Sequence, residues 1–357
     1  MIPVYEPFIG EEEAQAVAEA VRAGEISGSF GENLPAFERA FADYVGVRHG
    51  VATSSGTTAL HLALQALGVG AGDEVLVSAS TNIATALAAY HNGAVAVPVD
   101  SERTTWNLDL DLVEELIGPR TKAIVPVHLF GRPAPLAELA ALGLPLLEDA
   151  AQAFGAEGVA TTGVASTFSF FPTKNLFALG DGGLVAATDD EVADRIRMLR
   201  FHGSRDKQTF ELIGTNSRLD ALQAAFLRIS LPHLAGWNAS RREGAARYAE
   251  LGLGDAVELP VDQPGHVYHM YVIRTSERER IAAALKEREI ASAAYYVTPL
   301  HLQPALRHLG WEPGSLPETE KAAAENLALP LWGGIGTEVQ ERVVATVLDA
   351  VGAAAAR

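Results

Sequence analysis

The feature of this sequence that most constrains its fold is an alternation of short apolar runs with helix-length segments between residues 51 and 187. The apolar runs of strand length lie at residues 74–77, 95–99, 123–127, 145–147, 167–170 and 184–187. Amphipathic patterns of helical period lie between several of them, as at residues 58–67 and 110–117. Such alternation is typical of βαβ units. It predicts an α/β fold in which a mostly parallel sheet is covered by helices on both faces.

Further helical patterns lie outside this central region, between Gly10 and Gly24 and at residues 34–44, 219–229 and 278–288. A strand-like piece follows at residues 268–273. The length of 357 residues suggests two domains at roughly 150 residues each. We place their boundary near residue 236, so that residues 1–236 form a large domain and residues 237–357 a small C-terminal one. The N-terminal segment is able to pack on the small domain.

The charge balance excludes some classes of partner. Lys and Arg number 27 and Asp and Glu 45, which gives a formal net charge of −18. Nucleic acid and anionic membranes need clustered positive charge, so we expect neither as a partner, although one small anion pocket remains compatible. The absence of cysteine excludes disulfides and thiolate chemistry. No signal-peptide pattern opens the chain, and we expect a cytoplasmic protein.

A turn of small residues leads directly into a predicted helix at Ser54-Ser55-Gly56-Thr57-Thr58. Backbone N–H groups at a helix start, with hydroxyl groups nearby, are suited to bind a phosphate. Ser and Thr are favoured there as plain N-caps as well, and the segment by itself favours that interpretation.

Two carboxylates, Glu148 and Asp149, end an apolar strand, and Gln152 follows. Ligands of α/β proteins bind beyond the carboxyl ends of the strands. An acid at this position can pair with a cationic ring nitrogen or with a metal, or it can be a solvated strand end. His266 and His269 lack the helical spacing of a zinc protease, and we expect no metal site.

A single lysine, Lys174, follows the aromatic strand at residues 167–170. Aromatic surroundings can remove water from an amine and lower its pKa, which suits a lysine that forms a Schiff base. The alternative is an ordinary surface lysine after a strand.

The combination is more specific than its parts. A Gly-Thr helix start, an Asp at a strand end, a Gln three residues later and then Ser-x-x-x-x-Lys resemble the DegT/StrS family of sugar aminotransferases. The resemblance extends to the stretches at residues 128–131, 214–220, 223–225 and 299–304. It implies the fold of fold-type-I transferases that depend on pyridoxal 5′-phosphate. These have a large cofactor-binding domain with a mostly parallel sheet between helices, and a smaller C-terminal α/β domain.

The resemblance also implies a role for each matching residue. Lys174 would form the covalent link to the cofactor and carry the proton between the two carbons of the transamination. Asp149 would pair with the pyridine nitrogen, and Gln152 would hydrogen-bond the phenolic oxygen of the ring. The phosphate would be held by Gly56, Thr57 and Ser169, and by the partner subunit's Asn216. The protein would then be a homodimer with shared active sites.

One position departs from the family pattern. The family usually stacks an aromatic residue on the cofactor ring, within a Thr-aromatic-x-Ala-Thr segment, and this sequence has Asn82 there. We expect the amide plane of Asn82 to take the place of the aromatic ring.

The function that the resemblance implies is transfer of an amino group from an amino acid, by resemblance L-glutamate, to a nucleotide-linked keto sugar. The run at residues 295–301 looks more like members that aminate the 3-ketone than the 4-ketone. Two alternatives stay open at this point. One is other chemistry of the same cofactor on amino acids, and the other is a non-catalytic regulatory protein that binds the cofactor.

Overall fold

The computed structural model describes residues 1–355, the last three of them as backbone only. Over these residues it has nine strands, β1–β9, at His49–Thr53, Glu74–Ser78, Val95–Val99, Thr121–Val125, Leu147–Asp149, Ala165–Ser169, Gly183–Ala187, Tyr271–Arg274 and Asn326–Leu329. It has twelve α-helices, α1–α12, at Glu11–Ala23, Asn33–Val45, Gly56–Ala66, Ile83–His91, Leu110–Leu116, Leu136–Ala141, Asp190–Leu199, Ala221–Ser230, Leu234–Glu250, Arg278–Glu287, Pro317–Glu325 and Thr337–Ala355.

The first seven strands form one sheet in the order β3-β2-β4-β5-β6-β7-β1. Strands β3, β2 and β4 pair in parallel, and so do β5 and β6. Parallel bridges from Ile124 to Leu146 and from Val127 to Asp149 join β4 to β5. Among these seven strands only β7 runs against its neighbours, β6 and β1. The predicted α/β fold with a mostly parallel sheet is therefore confirmed.

Alternating side chains of the strands supply the cores on the two faces of this sheet. Val51 and Val185 join one buried cluster with α3, α4 and α7. Their neighbours Ala52 and Leu184 join a second cluster, rich in phenylalanine, with α2 and α8. In this second cluster Phe41 stacks on a neighbouring ring with centroids 4.6 Å apart. Both faces are covered, as a parallel sheet requires.

The six predicted strands are all present, with ends displaced by no more than two residues. Strand β1 and helix α4 were not predicted. The sequence of β1, His-Gly-Val-Ala-Thr, contains a single large apolar residue. Helix α4 is rich in alanine and buried around most of its surface, so it lacks the apolar stripe of an amphipathic helix.

The C-terminal part has its own core, in which the antiparallel pair β8–β9 packs with α10 and α12. The first residues of the chain join this part, because Ile2 exchanges backbone hydrogen bonds with Glu289 and Ala291. The predicted boundary near residue 236 falls inside α9 and stays a prediction. In the described part of the chain, no helix combines the length and apolar character that a membrane span needs.

Candidate active site

The carboxyl ends of the parallel strands open onto a cavity of about 280 Å³, which we call the cleft. Residues from β5, from the end of β6 and from the starts of α3 and α4 line it. Seven of the eight site residues predicted from the sequence are among them, namely Gly56, Thr57, Asn82, Asp149, Gln152, Ser169 and Lys174. The exception is Asn216.

One end of the cleft is the N-terminus of α3. The hydroxyl of Ser55 accepts a hydrogen bond from the Thr58 N–H at 3.1 Å, and the Ser55 N–H donates to the Thr58 hydroxyl at 3.0 Å. Ser55 is therefore an N-cap, as one interpretation of the sequence held. The cap occupies neither the Gly56 N–H nor the Thr57 N–H, and no described backbone group accepts from them. These two donors, at the positive end of an 11-residue helix, fit a phosphate.

Glycine is required at position 56 because the helix start lies against the end of β6. A Cβ atom on Gly56 would lie 2.7 Å from the Cβ of Ser169. A Cβ on Gly183, in the neighbouring strand, would lie 2.3 Å from the backbone of Ser55. The two glycines let the helix start approach the sheet closely, and this approach brings Ser169 to the same end of the cleft.

The other end of the cleft holds Asp149, at the end of β5. Its carboxylate is buried and accepts hydrogen bonds from the Thr85 hydroxyl at 2.8 Å and from the Ala151 N–H at 3.2 Å. Burial raises the pKa of Asp149, although these hydrogen bonds and the charge of Lys174 act in the opposite direction. A cationic ring nitrogen at this position would stabilise the buried charge, so the site fits the pyridine ring of pyridoxal phosphate.

Lys174 lies in the loop after β6, with its amine in the same cleft. Loss of water around the amine lowers its pKa to about 8, and the negative charge of Asp149 limits this effect. The predicted desolvation is present. Phe168 and Phe170 pack in the phenylalanine-rich core, and Phe171 lines the cleft. A lysine whose pKa is near 8 has an appreciable neutral fraction at physiological pH and is suited to attack an aldehyde.

Gln152 is held in one orientation. Its side-chain oxygen accepts from the Phe130 N–H at 2.7 Å, and its Nε2 donates to the Tyr296 hydroxyl at 3.1 Å. Phe130 has a left-handed backbone, with φ of 58°, which turns its N–H toward Gln152. The second hydrogen on Nε2 is available for the phenolic oxygen of a bound cofactor.

Tyr296 and Thr85 are site residues that sequence reasoning did not assign. Tyr296 lines the cleft, and burial together with the nearby charge of Asp149 raises the pKa of its phenol, so it stays protonated. Thr85 is completely buried and donates to Asp149. The Thr-Asn-Ile-Ala-Thr segment that contains Thr85 was available as a signal, and so was the run at residues 295–301.

Asn82 is the N-cap of α4, and its side-chain oxygen accepts from the Ala84 N–H at 3.0 Å. The side chain is exposed on the wall of the cleft. This N-cap hydrogen bond explains why an asparagine is favoured at position 82. That its amide plane replaces an aromatic ring stays a prediction.

A buried pair supports the strand end that carries Asp149. Nδ1 of His128 accepts from the Ala134 N–H, so Nε2 carries the hydrogen and donates to Glu148 at 3.1 Å. Burial raises the pKa of Glu148. The bonds from His128 and from two backbone N–H groups outweigh this effect and hold the pKa below its usual value. Glu148 is therefore a structural anion. Of the two adjacent carboxylates at the end of β5, Asp149 is the one that lines the cleft.

Asn216 is exposed and does not reach the cleft of its own chain. It lies in the segment after α7, where its backbone bridges to Phe201. Its predicted role, to bind the phosphate of a partner subunit, stays a prediction.

Comparisons match this chain to known proteins over most of its length. Residues 7–348 match the sequence profile of the DegT/DnrJ/EryC1/StrS aminotransferase family. The dTDP-3-amino-3,4,6-trideoxy-alpha-D-glucose transaminase of Streptomyces venezuelae is 42% identical over 360 residues, which cover 97% of this chain and 93% of that protein. The crystal structure of S. venezuelae DesV has a TM-score of 0.90 at 42% identity, with 95% and 94% of the two chains covered. A pleiotropic regulatory protein of Geobacillus stearothermophilus is 45% identical, with 89% of both chains covered.

Proposed function

The chain belongs to the DegT/DnrJ/EryC1/StrS aminotransferase family, and we propose that it moves the amino group of L-glutamate to a nucleotide-linked keto sugar. The cofactor is pyridoxal 5′-phosphate, which when bound supplies an electron sink for the negative charge that develops next to the transferred nitrogen. The observation that carries the proposal is the pair Lys174 and Asp149, a lysine with a pKa of about 8 and a buried carboxylate in one cleft.

Each member of this pair has a separate task. With the cofactor bound, the amine of Lys174 would hold it covalently in the cleft, and the same amine would carry the proton between the two carbons of the transamination. The carboxylate of Asp149 holds a proton at the ring nitrogen, because its buried charge is stabilised by a cation there. The hydroxyl of Thr85 keeps the carboxylate in place.

The substrate class rests on a relative and on the run at residues 295–301. The S. venezuelae transaminase is named for a 3-amino sugar. In this chain Tyr296, from the same run, lies on the wall of the cleft where a sugar would approach Lys174. The name of the relative favours the 3-ketone, and the 4-ketone is the competing substrate.

A homodimer with shared active sites is part of the proposal. The segment that carries Asn216 exposes large apolar side chains, with Phe210 59% and Ile213 92% exposed, and Phe171 at the mouth of the cleft is 48% exposed. Large apolar side chains exposed to this extent are typical of an interface. The partner subunit's Asn216 would then complete the phosphate end of the cleft.

The second candidate is a regulatory protein that binds the cofactor without catalysis. The name of the Geobacillus relative favours it. The lowered pKa of Lys174 fits both candidates, because attachment of the cofactor needs a neutral amine with or without turnover, so transamination itself is the property that separates them. Other reactions of the cofactor on amino acids would also use Lys174 and Asp149. Only experiment distinguishes these reactions from transfer to a sugar.

The test starts with the purified protein loaded with pyridoxal phosphate. Borohydride should fix the cofactor on the peptide that contains Lys174, and Lys174→Ala should abolish this attachment and lower transamination by at least about 1000-fold. Lys122→Ala, at an exposed lysine, is the matched control and should behave as the wild type. Absence of cofactor from the Lys174 peptide would overturn the enzyme assignment.

The second arm identifies the substrates. Glutamate should bleach the visible absorbance of the bound cofactor, and a nucleotide-linked keto sugar should restore it. A panel of 3-keto and 4-keto sugars then ranks the two positions. If glutamate bleaches the cofactor and no sugar of the panel restores it, the sugar assignment is wrong and the amino-acid chemistry stands.

A further inference from the structure

Tyr296 reaches the cleft from a segment that few backbone hydrogen bonds hold. The segment leaves β9 at Ala293, which exchanges two backbone hydrogen bonds with that strand. It meets the large sheet where the Leu300 N–H donates to the Ala79 carbonyl, beyond the end of β2, at 3.3 Å. Between these two anchors, the Tyr295 N–H is the one backbone donor for which the described residues supply an acceptor. This hydrogen bond is therefore the nearest constraint on the position of Tyr296.

The acceptor is the side chain of Asn326, the first residue of β9. Its Oδ1 lies 2.6 Å from the Tyr295 nitrogen, and its Nδ2 donates to the carbonyl groups of Ala322 and Ala323 at 2.8 and 3.3 Å. The side chain is 1% exposed, so no water competes for these hydrogen bonds. Asn326 thus closes the end of α11 with one half of its amide and holds the segment of Tyr296 with the other half.

Helix α11 is itself fixed to the large sheet at its other end. The carboxylate of Asp100, the residue after β3, accepts from the Thr319 N–H at 2.7 Å and from the Glu318 N–H at 3.2 Å. A carboxylate at the start of a helix satisfies free N–H groups and is stabilised by the positive end of the helix. The helix therefore extends from the sheet to Asn326, and the strands that carry the cleft set the position of this side chain.

The phenol of Tyr296 transmits this position to Gln152. Its oxygen accepts from Nε2 of Gln152 at 3.1 Å. An amide nitrogen has two hydrogens in a fixed geometry, so an acceptor that holds one of them determines the direction of the other. The second hydrogen is the one that is available to the phenolic oxygen of the cofactor. A displacement of the Tyr296 segment would consequently turn this donor away.

We propose that Asn326 is a positioning residue for Gln152 and that it acts through the segment of Tyr296. This inference rests on the proposed function, because it assigns a role within the same cofactor site. A donor at the phenolic oxygen of the cofactor stabilises negative charge there. Loss of the donor should therefore raise the pH at which the visible absorbance of the bound cofactor changes.

The first test removes the acceptor. In protein loaded with pyridoxal phosphate, Asn326→Ala should raise the pH of this absorbance change by about 0.5–1 unit, the equivalent of one hydrogen bond. Asn326→Asp keeps an acceptor for the Tyr295 N–H and should restore the wild-type value. Equal displacements in the two variants would assign the effect to the end of α11 and overturn the inference.

The matched control is Arg278→Gln. Nη1 of Arg278 donates to the Ala323 carbonyl, which also accepts from Asn326. This variant therefore weakens the same helix end without touching the segment of Tyr296. It should lower the free energy of unfolding and leave the pH of the absorbance change as in the wild type. A displacement as large as that of Asn326→Ala would overturn the inference.

A double-mutant cycle tests the route. Tyr296→Phe removes the oxygen that accepts from Gln152 and should raise the pH of the absorbance change by a similar amount. Asn326→Ala should then add nothing in the Tyr296→Phe background, because both changes interrupt one route. Additive displacements would show that Asn326 acts without Tyr296, and the proposal would be wrong.

Hydrogen exchange on the cofactor-free wild type requires no variant and no turnover, so it decides the case even if Asn326→Ala fails to fold. The Tyr295 amide should exchange at least about tenfold more slowly than that of exposed Val297, for whose N–H the described residues supply no acceptor. Equal exchange rates would overturn the inference. If Asn326→Ala keeps the wild-type absorbance change while the wild type transaminates, the positioning role fails and the proposed function stands. If the wild type reacts with no amino acid, the proposed function itself fails.

Discussion

The two ends of the cleft stabilise negative charge by different means. At the phosphate end, the donors are backbone N–H groups and hydroxyls of Ser55, Gly56, Thr57 and Ser169, and no ionisable side chain is among them. At the ring end, a buried carboxylate and a lysine act on each other, and burial displaces the pKa values of both toward the neutral forms. The phosphate end therefore works at any pH in the physiological range, whereas the ring end responds to protonation.

This difference explains how a chain with a large negative charge can bind a phosphate group. A protein with a net charge of −18 binds a phosphorylated cofactor without a basic patch, because the start of α3 contributes partial positive charge without adding a formal one. The buried formal charges, those of Asp149 and Lys174, are at the ring end, where the chemistry requires proton transfer. Substitutions at the ring end should consequently alter rates and pH dependence, and substitutions at the phosphate end should alter cofactor affinity alone.

The largest effect is expected for Asp149→Asn. An amide cannot hold a proton at the ring nitrogen, so the single-turnover rate with glutamate should fall by about 100- to 10,000-fold, as for other losses of acid–base function. Cofactor affinity should fall by less than about tenfold, because the phosphate end is unchanged. Stopped-flow absorbance and equilibrium dialysis measure the two quantities. Asp181→Asn, which removes a charge at the exposed rim of the cleft, is the control. Equal losses of rate and affinity would contradict the division between the two ends.

The second prediction concerns the stability of the cofactor-free protein. The pKa of Lys174 is lowered in the fold from 10.5 to about 8, so the unfolded chain binds a proton between these pH values that the folded chain does not. The resulting penalty is complete below pH 8 and disappears as the pH rises toward 10.5. Lys174→Met removes this penalty, so the free energy of unfolding of the variant minus that of the wild type should be larger at pH 7 than at pH 10, by roughly 1–3 kcal/mol.

Urea unfolding at pH 7 and at pH 10 measures this difference, which should shrink at the higher pH. Lys122→Met, at an exposed lysine, should leave the free energy of unfolding unchanged at both values. A gain from Lys174→Met that is the same at pH 7 and pH 10 would show that burial of the charge is not its cause.

The sequence predicts the framework of the site because parallel strands share an edge. Asp149 and Ser169 end two strands that pair in parallel, so their meeting follows from the pattern of apolar runs. The fold prediction fails at elements that lack such a pattern. Strand β1 has too few apolar residues, and α4 is buried on too many sides, so only tertiary packing identifies them.

The sequence predicts which residues belong to the site better than it predicts how their side chains are oriented. Gln152 is expected from the sequence, but the groups that hold it, the Phe130 N–H and the Tyr296 hydroxyl, come from a turn with positive φ and from a loop 144 residues away. The small cavity between residues 5–8 and α9, which Lys174 also lines, gives no local signal at all. It exists because residues 5–8 of the chain cross over α9, and no periodicity or motif relates Tyr5 to Arg241.

The smallest effect is expected at the phosphate end, from Gly56→Ala. Alanine is the better helix former by up to about 1 kcal/mol, so propensity alone would make this variant neutral or stabilising. The added Cβ would lie 2.7 Å from that of Ser169, and the helix start and β6 must then move apart. We expect the cofactor Kd to rise about tenfold, with an unchanged pH profile for the reaction with glutamate. Gly70→Ala, where no atom lies within 4 Å, controls for the substitution itself. If Gly56→Ala also displaces the pH profile, the movement reaches Lys174, and the two ends of the cleft form one coupled unit.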